Sequence, residues 1–79
     1  MKYQDIIKEA SDYDVEVIGA DSEPSFYSGE EKMACMMKKP GTRTWVGLSH
    51  DHNGEKIRFE GTKAKVANWC LDIAANGRP

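Results

Sequence analysis

The chain has 79 residues, of which 39% are apolar and 30% charged, and a formal net charge of −2. A chain this short forms one domain, 1–79, with a single core shared by all its elements. Its longest apolar run, Met33 to Met37, is far below the ~20 residues that a membrane-spanning helix needs. The first residues lack the apolar stretch of a secretion signal, so a soluble, cytoplasmic protein is expected.

Acidic and basic residues are separated along the chain. Residues 1–31 carry nine acidic and two basic side chains, a balance of −7. Residues 32–79 carry nine basic and four acidic side chains, a balance of +5. This asymmetry predicts a surface with one acidic and one basic side, although chance clustering on solvated faces would give the same pattern.

The first half of the chain predicts a helix, a strand and a loop. Apolar residues with helical spacing favour an amphipathic helix over 2–11; they are Tyr3, Ile6, Ile7 and Ala10. Alternation of Tyr13, Val15 and Val17 with acidic residues then indicates a short strand that ends at Ile18, with a longer first helix as the alternative. Pro24, Gly29 and three serines predict a loop over 20–31, with Phe26 and Tyr27 against the core.

The second half predicts three strands and a helix. Strands are expected over 32–38, 43–51 and 55–60, with turns at Pro40-Gly41 and Asn53-Gly54. Thr62 is a suitable N-cap for a helix that stops at Gly77. The predicted fold class is therefore α+β: an N-terminal helix, a three- to four-stranded antiparallel meander and a C-terminal helix, with both helices on one sheet face.

The Asn53-Gly54 dipeptide is the strongest local signal, because both central residues of a type I′ hairpin turn need a positive φ. A two-residue turn would fix the strand register and place Val46, Leu48, Ile57 and Phe59 in the core. Met33, Cys35 and Met37 are predicted on the core face of the preceding strand. The opposite face would then carry an aromatic residue among cations, namely Trp45, Gly47, Ser49, Lys56, Arg58 and Glu60. Alternatively, the 20–31 loop covers Trp45, which would then belong to a second small core.

Residues with catalytic or metal-binding chemistry form no specific motif. His50 and His52 are expected on the core-side face near the hairpin tip, but zinc requires three or four ligands. Cys35 and Cys70 are expected to be buried thiols, away from any helix N-terminus that would lower their pKa. We therefore predict a non-enzymatic protein with no cofactor and no metal.

The order of elements resembles that of double-stranded-RNA-binding domains over roughly residues 2–76. In that family the first strand connection and the start of the last helix touch RNA. The resemblance implies nucleic-acid-binding roles for the matching positions, Lys38, Lys39, Arg43, Lys63 and Lys65. A second layout, in which a three-stranded sheet reads a DNA groove, would use Trp45, Arg43, Lys56 and Arg58. A sequence pI near 5.6 argues against both, since affinity for nucleic acid rests on phosphate neutralisation.

A protein-binding inhibitor or adaptor is the function that we favour from the sequence. In its small size, its acidic side and its lack of motifs, the chain resembles phage-encoded inhibitors of host machinery, including anti-CRISPR proteins. An acidic N-terminal surface could mimic phosphates in a basic channel through Asp12, Asp14, Glu16, Asp21 and Glu23. Alternatively, the face with Trp45 and Arg58 could dock on the partner, a protein or protein–nucleic acid complex. The sequence leaves monomer and homodimer open.

Overall fold

The computed structural model describes residues 2–79, which form two helices and one open sheet. Helix α1 (Tyr3–Ala10) leads through a 3₁₀ turn (Ser11–Tyr13) into the sheet, and helix α2 (Lys63–Asn76) follows it. The strands are β1 (Val15–Ile18), β2 (Ser25–Ser28), β3 (Glu31–Lys38), β4 (Trp45–His50) and β5 (Lys56–Gly61). They pair antiparallel in chain order, β1-β2-β3-β4-β5. The α+β class and the helix–meander–helix order are confirmed.

The sheet has five strands because β2 lies inside the segment for which the sequence predicts a loop. Ser25–Ser28 has only one apolar side chain for the core, so no alternating pattern marks it. Its backbone pairs with β1 on one side and with β3 on the other. Phe26, at 0% exposure, fills the core as expected. Tertiary pairing therefore makes a strand of four residues whose local sequence does not specify one.

Both helices contribute to one core on one side of the sheet. Helix α2 places Val66, Ala67 and Cys70 against the strands, and all three have no exposed surface. Helix α1 adds Ile6 and Ala10 to the same core. The Thr62 hydroxyl accepts a hydrogen bond from the Lys65 amide at 3.2 Å, which confirms the predicted cap of α2.

A β-bulge in β3 changes which of its residues are buried. Phe26 pairs with Ala34 whereas Tyr27 pairs with Lys32, so Met33 is an extra residue in the ladder. Met33 and Ala34 are both buried as a result. The prediction that Met33, Cys35 and Met37 share the core face is right for Met33 and wrong for Cys35 and Met37, which pair with Leu48 and Val46 on the opposite face.

The β4–β5 turn has three residues rather than two. His50 pairs with Lys56, and the Asp51 amide donates to the Glu55 carbonyl at 2.8 Å. In this turn only Gly54 has a positive φ, 82°, so the predicted type I′ turn at Asn53-Gly54 is wrong. A three-residue loop that ends in a left-handed glycine fits this geometry. The Asp51 carboxylate stabilises it by accepting from the amides of residues 53 and 55, both at 2.9 Å.

The extra turn residue reverses the faces of β4. Trp45, Gly47 and Ser49 point towards the helices, whereas Val46, Leu48 and His50 point away from them. The faces of β5 are as predicted, with Ile57 and Phe59 towards the helices. The connection 39–44 has an even number of residues, so Ala34, Met36 and Lys38 share the face of Trp45, which is the core face.

Candidate functional site

The face of the sheet opposite the helices, hereafter the open face, is the candidate site. Neither helix packs on this side, because both belong to the core on the other side. Strand pairing places thirteen side chains on the open face: Glu16, Ile18, Ser25, Tyr27, Lys32, Cys35, Met37, Val46, Leu48, His50, Lys56, Arg58 and Glu60. The site is thus the surface of a sheet, not a cleft between elements.

Apolar side chains occupy the centre of the open face. One ladder row crosses the five strands through Ile18, Ser25, Cys35, Leu48 and Arg58. Ile18 is 52% exposed and Leu48 36%, values that large aliphatic side chains seldom show in a group. In the next row Met37, 37% exposed, lies beside Val46. A hollow of about 440 Å³ beside Leu48 is bordered by Cys35 and Lys56.

The charge of the open face changes sign from one edge strand to the other. Glu16 is the charged residue of β1 on this face, and it is exposed. Lys56 and Arg58 are exposed on β5 at the opposite edge. Arg58 forms an ion pair with Glu60 at 2.6 Å, and Lys39 lies 3.9 Å from the same carboxylate. Lys56 is in none of the ion pairs found in residues 2–79.

The predicted acidic residues lie along the β1 edge. Asp12 and Asp14 are in the turn before β1, and Asp21 and Glu23 are in the turn after it. Glu16 lies between the two groups on the strand itself. All five are exposed. The structure therefore brings these carboxylates to one edge, spread over the length of a four-residue strand.

Trp45 does not belong to the open face, so the predicted surface that combined it with Lys56 and Arg58 does not exist. Its ring and that of Tyr3 both lie near Lys63, whose Nζ is 5.0 Å from the Trp45 centroid and 4.1 Å from the Tyr3 centroid. The Tyr3 hydroxyl donates to the Ala20 carbonyl at 2.7 Å. Burial, together with the charge of Asp21, raises the pKa of Tyr3. This cation–π cluster connects the first turns of both helices to β4, and its role is to stabilise the fold.

Most of the predicted basic residues gather at one end of the sheet. Lys38 pairs with Trp45, and Trp45 pairs with Gly61, directly before α2. The connection that carries Lys39 and Arg43 therefore lies near the start of α2, where Lys63 and Lys65 are found. Lys56 is at the other end of β5. Lys63 is half-buried in the aromatic cluster, which leaves fewer cations facing solvent than the sequence predicts.

The two thiols have different environments. Cys70 is buried, with its Sγ 3.7 Å from the Cys35 carbonyl oxygen. Burial, with a smaller effect of Cys35, raises the pKa of Cys70 to about 12, so the reactive thiolate is scarce at neutral pH. Cys35 is half-exposed on the open face, in contrast to the buried position predicted for it.

The histidines do not share a face as predicted. His50 is on the open face, whereas His52 is in the turn, with its Nδ1 2.8 Å from the Pro79 carbonyl oxygen. Residues 2–79 contain no cluster of three or more potential metal ligands. Neither α1 nor α2 has the length and apolar character to cross a membrane.

Comparison of the chain with known protein families, with curated proteins and with solved structures gives no significant match. Sequence reasoning missed Ile18, Met37 and Leu48 as surface residues. Ile18 continues the alternation of β1 on the side of Glu16, which was a usable signal, whereas the faces of Met37 and Leu48 depended on the turn and the strand register.

Proposed function

We propose that the protein is a small, non-enzymatic protein-binding domain that docks through the open face of its sheet. The exposed apolar residues of this face, Met37 and Leu48 near its centre and Ile18 on the edge strand β1, carry the proposal. An exposed apolar patch with a charged rim is typical of surfaces that bury themselves against another protein. Glu16 on one side and Lys56 on the other supply such a rim.

The shape of the open face supports a protein as partner rather than a small molecule. Small-molecule sites enclose most of the ligand surface in a concave pocket. Here the hollow of about 440 Å³ beside Leu48 is open to solvent and lies on a sheet surface. It is suited to accept one apolar side chain of a docking protein.

Capture of proteins from the lysate of the source cells tests this function. Leu48→Asp puts a charge in the centre of the open face, and we expect it to remove the captured partner. Asn68→Asp makes the same change of charge at an exposed position of α2 and serves as the matched control. A partner that binds wild type and Leu48→Asp equally would contradict docking through the open face.

The inhibitor hypothesis is a more specific form of the proposal, in which the acidic β1 edge enters a basic nucleic-acid channel of the partner. Its support is that the five carboxylates of this edge are exposed and take part in none of the ion pairs within residues 2–79. Reversing the charge at Asp12, Asp14 and Glu16 together should then abolish capture in a salt-sensitive way. Capture that survives the triple reversal would exclude phosphate mimicry.

Direct nucleic-acid binding is the second candidate, favoured by the position of Lys38, Lys39 and Arg43 near Lys65. A mobility shift with bare RNA and DNA at several salt concentrations tests it. Tight binding that falls steeply with salt, and that Lys39→Glu weakens, would support this candidate. Our main proposal expects no such shift.

A further inference from the structure

We infer that the occupant of the open face is a second copy of this chain, in a two-fold dimer whose axis runs along β3. The inference rests on the proposed docking role of the open face and adds the identity of the partner. It requires a surface that is complementary to itself, as two-fold interfaces are.

The charge pattern of the open face has this property. β1 and β5 are the two edge strands, each two strands from β3. A two-fold rotation about an axis along β3 therefore puts β1 of one copy over β5 of the other. Ile18 and Arg58 lie in the same row of the ladder. Glu16 precedes Ile18 by two residues, and Lys56 precedes Arg58 by two residues. Since β1 and β5 run in the same direction, Glu16 and Lys56 also lie at the same level. Glu16 of each copy thus faces Lys56 of the other, twice in the dimer.

The charges disfavour the other simple face-to-face arrangement. A two-fold axis across the strands would put β1 over β1, so that the acidic β1 edges of the two copies, each with five exposed carboxylates, lie against each other. Like charges brought together cost binding energy, so the axis along β3 is favoured over this one. Two sheets packed in this way keep their strands within about 30° of each other, as aligned sheet sandwiches do.

The apolar centre also matches itself in this arrangement. Cys35 and Met37 of β3 lie on the axis and meet their own counterparts. The exposed Lys32 at the start of β3 also meets its counterpart, a like-charge contact that weakens the dimer. Leu48, one strand to the side, covers the small side chain of Ser25 in the other copy. Met37 and Leu48, both more than a third exposed in the single chain, become buried.

The area of the face predicts a weak dimer. Five strands about 4.8 Å apart and about 20 Å long give roughly 400–500 Å² for each copy. Stable interfaces bury about 800 Å² on each side. We therefore expect a concentration-dependent equilibrium, with dimers in the range from about 10 µM to about 1 mM.

Sedimentation of purified chains at several concentrations provides the main test. Glu16→Lys and Lys56→Glu should each be monomeric, with at least about tenfold weaker association than wild type, because each juxtaposes like charges. An equimolar mixture should dimerise again, since both contacts are then between opposite charges. Wild-type chains that stay monomeric at about 1 mM, or a mixture that stays monomeric, would overturn the inference.

A chemical cross-link tests the position of the axis. Cys35 lies on the axis, and its side chain projects into the ~10 Å between the packed sheets, so a short bifunctional thiol reagent should give a covalent dimer. Cys35→Ser should give none, because Cys70 is buried. Leu48→Asp should strongly reduce the yield while circular dichroism shows an unchanged fold. A cross-link that persists undiminished in Leu48→Asp would refute the arrangement.

The two proposals fail separately. A monomeric wild-type chain whose lysate partner is lost in Leu48→Asp would refute the dimer and leave the docking face. In the opposite case, the variants dimerise on mixing as described above while lysate partners bind Leu48→Asp as well as wild type. That result would establish the dimer and show that other proteins bind to a different surface.

Discussion

Gly47 allows helix α2 to lie directly on the sheet. A Cβ at this position would come within 2.7 Å of Cε3 and 2.8 Å of Cζ3 of the Trp69 ring, and within 3.0 Å of a Val66 methyl group. The Trp69 ring also stacks on Phe59, the neighbour of Gly47 on β5, with 5.7 Å between ring centroids. The glycine is therefore required for packing, and its φ is not in the left-handed region.

Gly47→Ala should lower the free energy of unfolding by about 1–3 kcal/mol, because the ring has little room to move and overpacking costs that much. Urea unfolding followed by fluorescence measures the change. Gly61→Ala is the matched control: it lies on the neighbouring strand, and its nearest contact, the Lys65 Cβ at 3.7 Å, is ordinary. We expect a change below about 0.5 kcal/mol there. Equal effects of both substitutions would contradict the packing role of Gly47.

Cys70 makes stability depend on pH in the alkaline range. Its pKa is about 12 in the folded chain and 9.0 without the effects of folding, so the unfolded chain loses the thiol proton first. Above pH 9 the folded state binds more protons than the unfolded state, and stability therefore falls as pH rises. The expected loss is about 1.4 kcal/mol between pH 8 and pH 10.

Denaturant unfolding at pH 8, 9 and 10 measures this slope. Tyr3, whose pKa is also raised, adds to the loss above pH 10, so the comparison stays at or below that pH. Cys70→Ala should flatten the slope although it lowers stability at every pH. Cys35→Ser should keep the wild-type slope, and a Cys70→Ala chain with an unchanged slope would disprove the assignment.

At the scale of elements, the β4–β5 turn determines which residues β4 exposes. Because only Gly54 has a positive φ in this turn, Gly54→Ala should cost about 1–2 kcal/mol whereas Asn53→Ala should change stability little. A type I′ turn would instead make both substitutions costly. Thermal unfolding of the two variants distinguishes these geometries, with comparable losses at both positions ruling out the three-residue loop.

One buried hydroxyl group contacts the bulge of β3. Ser49 Oγ donates to the Met33 carbonyl at 2.6 Å, which satisfies the backbone of the extra residue. Ser49→Ala leaves this carbonyl without that donor and should cost about 1–3 kcal/mol. Ser28→Ala, at an exposed strand position, is the control and should have little effect on the melting temperature. A tolerated Ser49→Ala would show that the bulge does not need this bond.

At the scale of the whole molecule, the C-terminal residues connect the end of α2 to the sheet. They contact the end of the sheet that lies away from the start of α2. Arg78 forms an ion pair with Glu31 at 2.6 Å and donates to the Lys32 carbonyl at 3.2 Å. The His52 amide donates to the Pro79 carbonyl at 2.7 Å. These contacts fix the end of α2 to the start of β3 and to the β4–β5 turn.

Arg78→Ala should lower stability by less than about 1 kcal/mol, because the ion pair is largely exposed on the Glu31 side. It should also speed hydrogen exchange at the start of β3, and this local effect is the better measure. Arg43→Ala, at an exposed position of the 39–44 connection, should leave that exchange unchanged. Unchanged exchange in Arg78→Ala would contradict the tethering role.

The sequence by itself determined the fold class, the two helices, the cap at Thr62 and the central strands. Periodicity, capping chemistry and turn residues are local properties, and here they agree with the final fold. The faces of β5 followed from the same alternation. The acidic edge was also visible, because residues near in sequence around a short strand stay near in space.

Only the tertiary structure decided where the open face lies and which residues form it. A single additional turn residue reverses every side chain of a strand, so the turn around Asn53-Gly54 moved Trp45 into the core and Leu48 to the surface. Cys35 faces outwards for the same reason, because it pairs with Leu48, whereas the bulge keeps Met33 in the core beside Ala34. Strand β2 was hidden because its pairing partners, and not its own residues, stabilise it. Register is a property of pairs of strands, and no single segment encodes it.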